Sequence, residues 1–318
     1  MSALPRPALS TMWAVQPRFE RDLDAFVRRA AELGFAGIEV NHGMDAWQLR
    51  EAFEAAGRYG LEVTSLHAPA PLELVEAFDG RENRTLNLAA LDEAERGTAV
   101  EHHLRSLEVA AAHEVGRVVV HLGGIGALDE SLASERWLRT HFDRRERPDI
   151  AEEWDERLEA ARAERASVAP PWFEAARRSL AELAARAADL GVTMGLESRL
   201  RYHEFPLPEE CANLVAPYAA SVVGYWHDTG HAEVLARIGV VPLASWFPLT
   251  EGRLVGVHVS DVRGLRDHYA PGAGDLDFEA LAPHLDASAL RTFEVDQNET
   301  DAALARALEV TRAAGIMG

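Results

Sequence analysis

Short apolar segments rich in β-branched residues alternate with longer amphipathic segments along most of the 318 residues of this chain. Apolar runs of about four to eight residues indicate buried strands, and apolar residues spaced by three and four indicate helices that cover them. The strand-like segments are Thr11–Gln16, Gly37–Asn41, Glu62–Ala68, Arg117–Leu122, Thr193–Ser198, Val223–Asp228, Leu254–Asp261 and Leu290–Asp296. The clearest helical patterns are Arg21–Leu33, Ala46–Tyr59, Ala99–Glu114, Trp172–Leu190 and Asp301–Ala314. Eight strands alternating with helices predict an α/β fold of the (β/α)8 TIM-barrel type.

Glycines at the ends of helical patterns support this alternation. Gly34 and Gly191 each follow a helical pattern and precede a strand-like segment. Glycine is favoured there because the residue that ends a helix often adopts a left-handed conformation. A doubly wound open sheet is the structural alternative, but the chain has no Gly-x-Gly-x-x-Gly loop to support it. We therefore predict a single TIM-barrel domain over residues 1–318, a length that such barrels commonly reach.

One segment is longer than a minimal strand–helix repeat requires. From about Gly126 to Pro171 the chain is charged and helix-prone, and it follows the fourth predicted strand. Connections after the strands of a TIM barrel lie at its C-terminal face. We therefore expect a long helical insertion over 126–171 that covers this face as a lid or forms an oligomer contact. A solvated helical excursion with ion pairs between successive turns is the alternative.

The charge of the chain excludes several kinds of chemistry. It has 52 acidic and 32 basic residues, a formal charge of −20, and every basic residue is an arginine. Without lysine there can be no Schiff-base aldolase, no lysine-bound pyridoxal phosphate and no P-loop lysine. A chain of this charge repels polyanions, so we expect no nucleic-acid partner.

The remaining composition points to a cytoplasmic protein with no membrane partner. Cys211 is the only cysteine, so no disulfide can form within the chain and nothing marks an oxidising compartment. No apolar run reaches the roughly 18 residues that a membrane-spanning helix needs. The first ten residues lack the apolar stretch of a signal peptide, which agrees with the cytoplasmic expectation.

Nearly every predicted strand ends in a side chain that can bind a metal or move a proton. These residues are Glu39, His67, His121, Glu197, His227, Asp228, His258, Asp261 and Glu294. In a barrel these strand ends converge on one pocket, and burying so many ionisable groups together is costly unless a cation compensates them. A mixture of carboxylates and imidazoles suits Mn²⁺, Mg²⁺ or Co²⁺, with Zn²⁺ as the alternative when more imidazoles join. A single histidine at a strand end is more often structural, so the prediction of a metal site rests on the occurrence of such residues at several strand ends together.

Several of these residues stand in motifs that resemble a known family. The motifs are Ser-Leu-His67-Ala-Pro, Val-His121-Leu-Gly-Gly, Leu-Glu197-Ser, His-Asp228-Thr-Gly-His231, Val-His258-Val-Ser-Asp261, His268-Tyr-Ala-Pro-Gly-Ala-Gly-Asp-Leu-Asp-Phe and Phe-Glu294-Val. In this order they resemble the xylose-isomerase-like TIM-barrel superfamily, over about Gly34 to Glu294. That superfamily holds sugar isomerases and epimerases such as tagatose 3-epimerase, hydroxypyruvate isomerase and inosose dehydratase, together with endonuclease IV. The resemblance does not select one member.

The resemblance implies a metal site and a catalytic pair. Glu197, Asp228, His258 and Glu294 resemble the four ligands of the single metal in the epimerases. In those enzymes the two glutamates, here Glu197 and Glu294, also act as acid and base. His231 resembles the histidine beside the substrate oxygen.

The resemblance to endonuclease IV leaves a second metal open. The positions of His67, His121 and Glu197 resemble its second site, and those of His231 and His268 join an aspartate around a third ion. Here Arg266 stands at the position of that aspartate and Asp267 follows it, so we do not expect a trinuclear cluster. The expected cofactor is one divalent metal, with two as the alternative.

Arginines and aromatic residues near the strand ends are candidates for substrate binding. Arg199 and Arg201 follow the fifth strand, and Arg263 and Arg266 follow the seventh, where they could clamp a carboxylate or phosphate. His231 and His268 are further candidates for substrate binding. Aromatic residues that could offer an apolar face to a sugar ring are Trp13, Trp226 and Tyr202. Ion pairs at the rim and packing in the core are the alternative roles.

These residues predict a metal-dependent isomerase or epimerase that acts on a sugar or a related hydroxy-carbonyl compound. A metal on adjacent carbonyl and hydroxyl oxygens acidifies the carbon-bound proton, and two glutamates can exchange that proton through an enediolate. The alternatives are an endonuclease IV-like phosphodiesterase and a non-catalytic barrel. We expect a small-molecule substrate as the partner and leave a homo-oligomer open.

Overall fold

Eight parallel strands close into a barrel in the computed structural model, which describes residues 4–19, 22–72, 86–126 and 132–318. With strands numbered in chain order, the barrel consists of β1 (Pro7–Ser10), β2 (Gly37–Val40), β3 (Glu62–His67), β4 (Arg117–Val120), β5 (Thr193–Glu197), β6 (Val223–Asp228), β7 (Leu254–Val259) and β10 (Leu290–Phe293). An antiparallel hairpin of β8 (Asp261–Arg263) and β9 (Arg266–Tyr269) follows β7. The strands neighbour one another in the order β1-β10-β7-β6-β5-β4-β3-β2, and the predicted TIM barrel is confirmed.

Helices connect the strands and cover the outside of the barrel. They are α1 (Leu23–Leu33), α2 (Ala46–Tyr59), α3 (Glu93–Ala112), α4 (Ala133–His141), α5 (Pro148–Leu190), α6 (Pro208–Val215), α7 (Thr229–Ile238), α8 (Phe247–Thr250), α9 (Phe278–Leu281) and α10 (Asp301–Ala313). Short 3-10 helices occupy Thr11–Ala14, Pro17–Phe19, Phe142–Arg144, Leu243–Trp246 and Ala282–His284. Gly34 and Gly191 end α1 and α5 with φ values of 94° and 67°, the left-handed conformation expected from the sequence. None of the helices described is long and apolar enough to cross a membrane.

The first strand lies earlier in the chain than the sequence predicts. The strand expected at Thr11–Gln16 is wrong, because Thr11–Ala14 forms a 3-10 helix and β1 ends at Ser10. The Ser10 side chain accepts a hydrogen bond from the backbone N–H of Met12 and so caps that helix. Trp13 is fully buried, and its indole N–H donates to the carbonyl of Glu299 at 2.8 Å. The apolar residues that suggested a strand are therefore buried by a turn beside the barrel.

The insertion after the fourth strand is helical, as predicted. It comprises α4, a 3-10 turn and the first half of α5, a helix of 43 residues that continues through Pro170 and Pro171. The helix predicted at Trp172–Leu190 is the second half of α5. Residues 127–131, at the start of the insertion, lie outside the described residues.

A tryptophan fills the barrel interior beneath the predicted site. Trp226 on β6 is fully buried, and its ring centroid lies 5.1 Å from that of His258 on β7. Gly195 on β5 and Gly256 on β7 flank it, and a Cβ on either glycine would overlap atoms of Trp226. The expectation that Trp226 offers its face to a sugar is therefore wrong. Its indole supports His258 from below instead.

Gly256→Ala should lower the free energy of unfolding by about 1–3 kcal/mol, because the added methyl group has no space beside Trp226. Urea denaturation with a matched Gly57→Ala control measures this. Gly57 lies inside α2 with open space at its Cβ position, so the control should be neutral or stabilising. Equal stability of Gly256→Ala and the wild type would contradict the close packing.

Candidate metal centre

Four side chains from four strand ends meet at the C-terminal mouth of the barrel. Glu197 and Asp228 are the last residues of β5 and β6, His258 lies in β7, and Glu294 directly follows β10. One donor atom from each lies within 4.8 Å of those of the other three, and none of the four residues is more than 4% exposed. The structure therefore brings together the four residues predicted as metal ligands. We call this set the quartet.

The two nitrogens of His258 face different carboxylates. Its Nδ1 lies 2.7 Å from Oε1 of Glu197, 3.0 Å from Oε2 of Glu294 and 3.7 Å from Oδ2 of Asp228. Its Nε2 lies 2.9 Å from Oε1 of Glu39, whose Oε2 accepts a hydrogen bond from the Ser65 hydroxyl at 2.6 Å. A carboxylate that takes the outer N–H of a ligating histidine fixes the tautomer and directs the other nitrogen to a metal. Glu39 is therefore placed to orient His258.

Asp228 leaves one buried oxygen without a hydrogen-bond donor. Its Oδ1 accepts from the backbone N–H of His231 at 2.7 Å and so caps α7, and its own N–H donates to the Ser198 hydroxyl at 2.8 Å. Its Oδ2 has no hydrogen-bond partner among the described residues. An unpaired buried oxygen is costly, and burial raises the pKa of Asp228. A cation at this oxygen would compensate both effects, so the residues present fit a divalent metal.

The charges of the quartet depend on one another. Burial alone would raise the pKa of Glu197 and Glu294, but contact with His258, and for Glu197 also with His121, holds both pKa values well below the usual range. Burial would lower the pKa of His258, but the carboxylates of Glu294, Glu39 and Glu197 outweigh it and raise that pKa well above the usual value. The site is therefore rich in ionised oxygens. A metal that binds Nδ1 must displace a proton from His258.

A second cluster adjoins the quartet through Glu197. His67 at the end of β3 and His121 just after β4 place their Nε2 atoms 2.7 Å apart. The Nε2 of His121 contacts Oε2 of Glu197, the carboxylate oxygen that does not face His258. The residues predicted for a second metal site are thus brought together.

A third cluster corrects the expectation about the aspartate. Oδ2 of Asp267 lies 3.4 Å from Nε2 of His231 and 3.2 Å from Nδ1 of His268, so the one-residue offset does not separate it from these histidines. His268 adopts a φ of 59° in the β8–β9 hairpin, which lets two successive side chains approach the same region. Nε2 of His268 lies 3.6 Å from Oε2 of Glu294, which links this cluster to the quartet.

Two strand-end residues noted in the sequence have other roles. His227 is adjacent to Asp228 in β6, so it points to the opposite side of the strand, where Nδ1 lies 2.6 Å from the hydroxyl of Tyr225. Asp261 accepts hydrogen bonds from the backbone N–H groups of Gly272 and Gly274 at 2.8 and 2.9 Å and organises the loop after β9. Neither residue belongs to the clusters.

A cleft of about 270 Å³ opens above the three clusters. Its lining includes four of the predicted substrate-binding residues, Arg199, Arg201, His231 and His268, and also residues not predicted: Met12, Asn41, His42, Leu200 and Glu204. Asn41 and His42 follow β2 directly, so the rule that strand ends carry polar groups could have found them.

Arg263 does not line the cleft, since its guanidinium lies over the Tyr269 ring at 5.2 Å.

The chain is similar in sequence and in fold to known proteins. Residues 27–314 match the xylose isomerase-like TIM barrel family. No curated protein matches the sequence. Among solved structures, the chain is similar to the 3-keto-D-glucoside 4-epimerase of E. coli (19% identity, 97% of this chain and 99% of that chain, TM-score 0.65). It is also similar to the D-psicose 3-epimerase of Clostridium cellulolyticum H10 (14% identity, 98% of this chain and 99% of that chain, TM-score 0.65). A third similar structure is an L-ribulose 3-epimerase (15% identity, 98% of this chain and 95% of that chain, TM-score 0.65).

Glu39→Gln should weaken Zn²⁺ binding by roughly 10- to 100-fold, because a neutral amide holds the outer N–H of His258 less strongly than a carboxylate does. Competition with a chromophoric chelator measures the affinity. Glu62→Gln, an exposed glutamate at the start of β3, is the control and should bind like the wild type. Unchanged affinity of Glu39→Gln would show that Glu39 does not orient His258.

Proposed function

Because the chain belongs to the xylose isomerase-like TIM barrel family, we propose that it is a metal-dependent isomerase or epimerase of a sugar or a related hydroxy-carbonyl compound. The observation that carries this proposal is that two buried glutamates contact the same nitrogen of one histidine. Glu197 and Glu294 each place an oxygen within 3.0 Å of Nδ1 of His258, and they come from strands three steps apart around the barrel. Two carboxylates that approach one point from different directions suit removal and return of a proton on a substrate held between them.

The quartet would hold the metal, and the two glutamates would carry the proton. A divalent ion held by Glu197, Asp228, His258 and Glu294 would supply polarisation of the substrate carbonyl and stabilise negative charge on its oxygen. The carboxylates of Glu197 and Glu294 would take the carbon-bound proton and return it. Both carboxylates are buried beside His258, where they face the same point and can accept a proton from a substrate carbon.

The cleft supports a small polar substrate. Its volume of about 270 Å³ lies just below the usual range for ligand pockets, roughly 300–1,000 Å³. Its lining combines imidazoles and arginines with few apolar side chains. The solved structures similar to this chain include sugar epimerases, which agrees with a substrate of this size and polarity.

Turnover in deuterium oxide should place deuterium on the carbon next to the substrate carbonyl, because a glutamate exchanges its proton with solvent between removal and return. Proton NMR of reactions with ketoses, inososes and hydroxypyruvate, with Mn²⁺, Mg²⁺, Co²⁺ or Zn²⁺ added, measures this. Glu197→Gln and Glu294→Gln should each lower the rate by several orders of magnitude, because each loses a ligand charge and a proton carrier. Arg263→Gln changes an exposed residue outside the cleft and is the control variant for these two substitutions.

Two outcomes would contradict this proposal. Turnover without deuterium uptake would exclude proton transfer through the glutamates and would favour a hydride shift. Near wild-type activity and metal content in either glutamine variant would remove that glutamate from the mechanism.

A metal-dependent phosphodiesterase is the second candidate, and the three clusters are the observation that favours it. His67, His121 and Glu197 form one group of possible ligands, and His231 and His268 of the third cluster form another with Asp228 of the quartet. A nuclease of this type must also attract a polyanion, whereas this chain carries a formal charge of −20. The charge therefore favours the isomerase or epimerase.

Duplex DNA with an abasic site should not bind at micromolar protein in about 0.15 M salt, because a chain with a formal charge of −20 repels a polyanion. Fluorescence anisotropy with a labelled duplex measures binding, and gel electrophoresis measures cleavage. The undamaged duplex is the control substrate. Salt-sensitive binding with cleavage of the abasic strand would replace the isomerase proposal with the nuclease.

A further inference from the structure

An arginine side chain occupies the cluster that was predicted as a second metal site. Nη1 of Arg199 lies 2.8 Å from Oε2 of Glu197 and 2.5 Å from Nε2 of His121. Glu197 and His121 form, with His67, one of the groups of residues that could hold an ion. Arg199 follows β5 by two residues and is only 13% exposed at its side chain, so the guanidinium lies within the site and not at its rim.

The chemistry of arginine defines the roles of its partners. A guanidinium has donors only and remains charged, so Nε2 of His121 and Oε2 of Glu197 both act as acceptors toward Nη1. Nη1 thus contacts both atoms at once, and its positive charge lies against the carboxylate of Glu197. Arg199 therefore supplies a cation where the cluster needs one.

Arg199 is held in this position from its outer side. Oε1 of Glu204 accepts hydrogen bonds from Nη2 and Nε of Arg199 at 3.1 and 3.3 Å, and Oε2 of Glu204 accepts from the backbone N–H of Arg201 at 2.9 Å. The guanidinium thus bridges two carboxylates, Glu197 inside and Glu204 outside. This fixed geometry suits a permanent cation.

The insertion holds the loop that carries Arg199 and Glu204. Glu135 of α4 is fully buried and accepts hydrogen bonds from the backbone N–H groups of Tyr202 and His203 at 2.9 and 3.2 Å. Arg165 of α5 is 5% exposed and donates to the carbonyl oxygens of Tyr202 and Glu204 at 2.6 and 3.2 Å. Two buried charged residues of the insertion therefore fix the backbone on which the guanidinium is mounted.

We propose that Arg199 is the resident cation of the His67–His121–Glu197 cluster and takes the place of a second metal ion. The cluster then holds no divalent ion, which leaves the quartet as the site of the single expected metal. A second ion would have to lie about 2.1 Å from the same donor atoms. It would therefore crowd Nη1 and meet its positive charge in a buried site. The inference deepens the proposed function and depends on it only for the ion at the quartet.

The test is the number of Zn²⁺ ions bound per chain. Metal-free wild type, Arg199→Met and Arg199→Met/His67→Ala are dialysed against Zn²⁺ and the bound metal is measured by mass spectrometry. We expect one equivalent in the wild type, one more in Arg199→Met, and loss of that additional equivalent in the double variant. Arg199→Gln, checked for folding by circular dichroism, is the second neutral variant and should behave like Arg199→Met.

Arg201→Met is the matched control. Arg201 lines the same cleft but makes no contact with the cluster among the described residues, so its variant should bind the wild-type number of ions. Two equivalents in the wild type, or no additional equivalent in either folded Arg199 variant, would overturn the inference. No Zn²⁺ in the wild type would count against the quartet and thus against the proposed function. The difference between wild type and Arg199 variants would still decide the role of Arg199.

Discussion

The buried negative charge at the mouth of the barrel is the constraint on which the rest of the structure depends. Glu39, Glu197, Asp228 and Glu294 are at most 4% exposed and all lie around His258. Ionised groups are stable in such a place only when opposite charges and hydrogen bonds replace the water that they lose. Imidazoles and one guanidinium supply part of this compensation. The unpaired oxygen of Asp228 shows that a further cation suits the site.

The barrel delivers these groups because parallel strands end on the same face. Trp226 fills the barrel interior between two glycines and packs against the ring of His258, so that ring cannot move further into the barrel. Glu39 contacts the outer nitrogen of the same ring and so fixes the orientation of the His258 side chain. His258 is thus fixed by packing and by a hydrogen bond, so its Nδ1 has one direction available to it.

Glu197 connects the chemistry of the quartet to the insertion. One of its oxygens faces His258, and the other faces His121 and Arg199. Arg199 is held by Glu204 on a loop that the buried charges of α4 and α5 fix in place. Hydrogen bonds from the insertion therefore fix the backbone of the loop that carries Arg199 and Glu204.

The sequence by itself predicted the barrel, the helical insertion and the polar strand ends, because hydrophobic periodicity and the position of polar residues along the chain are local properties. The resemblance to a known family selected the quartet among those strand ends. Only the tertiary structure decided the start of the first strand, the burial of Trp226, the orienting contact of Glu39, the approach of Asp267 to two histidines and the place of Arg199. Each of these depends on which distant side chain fills a given space or faces a given charge. Such pairings arise only when the closed barrel brings remote segments within a few ångströms of one another.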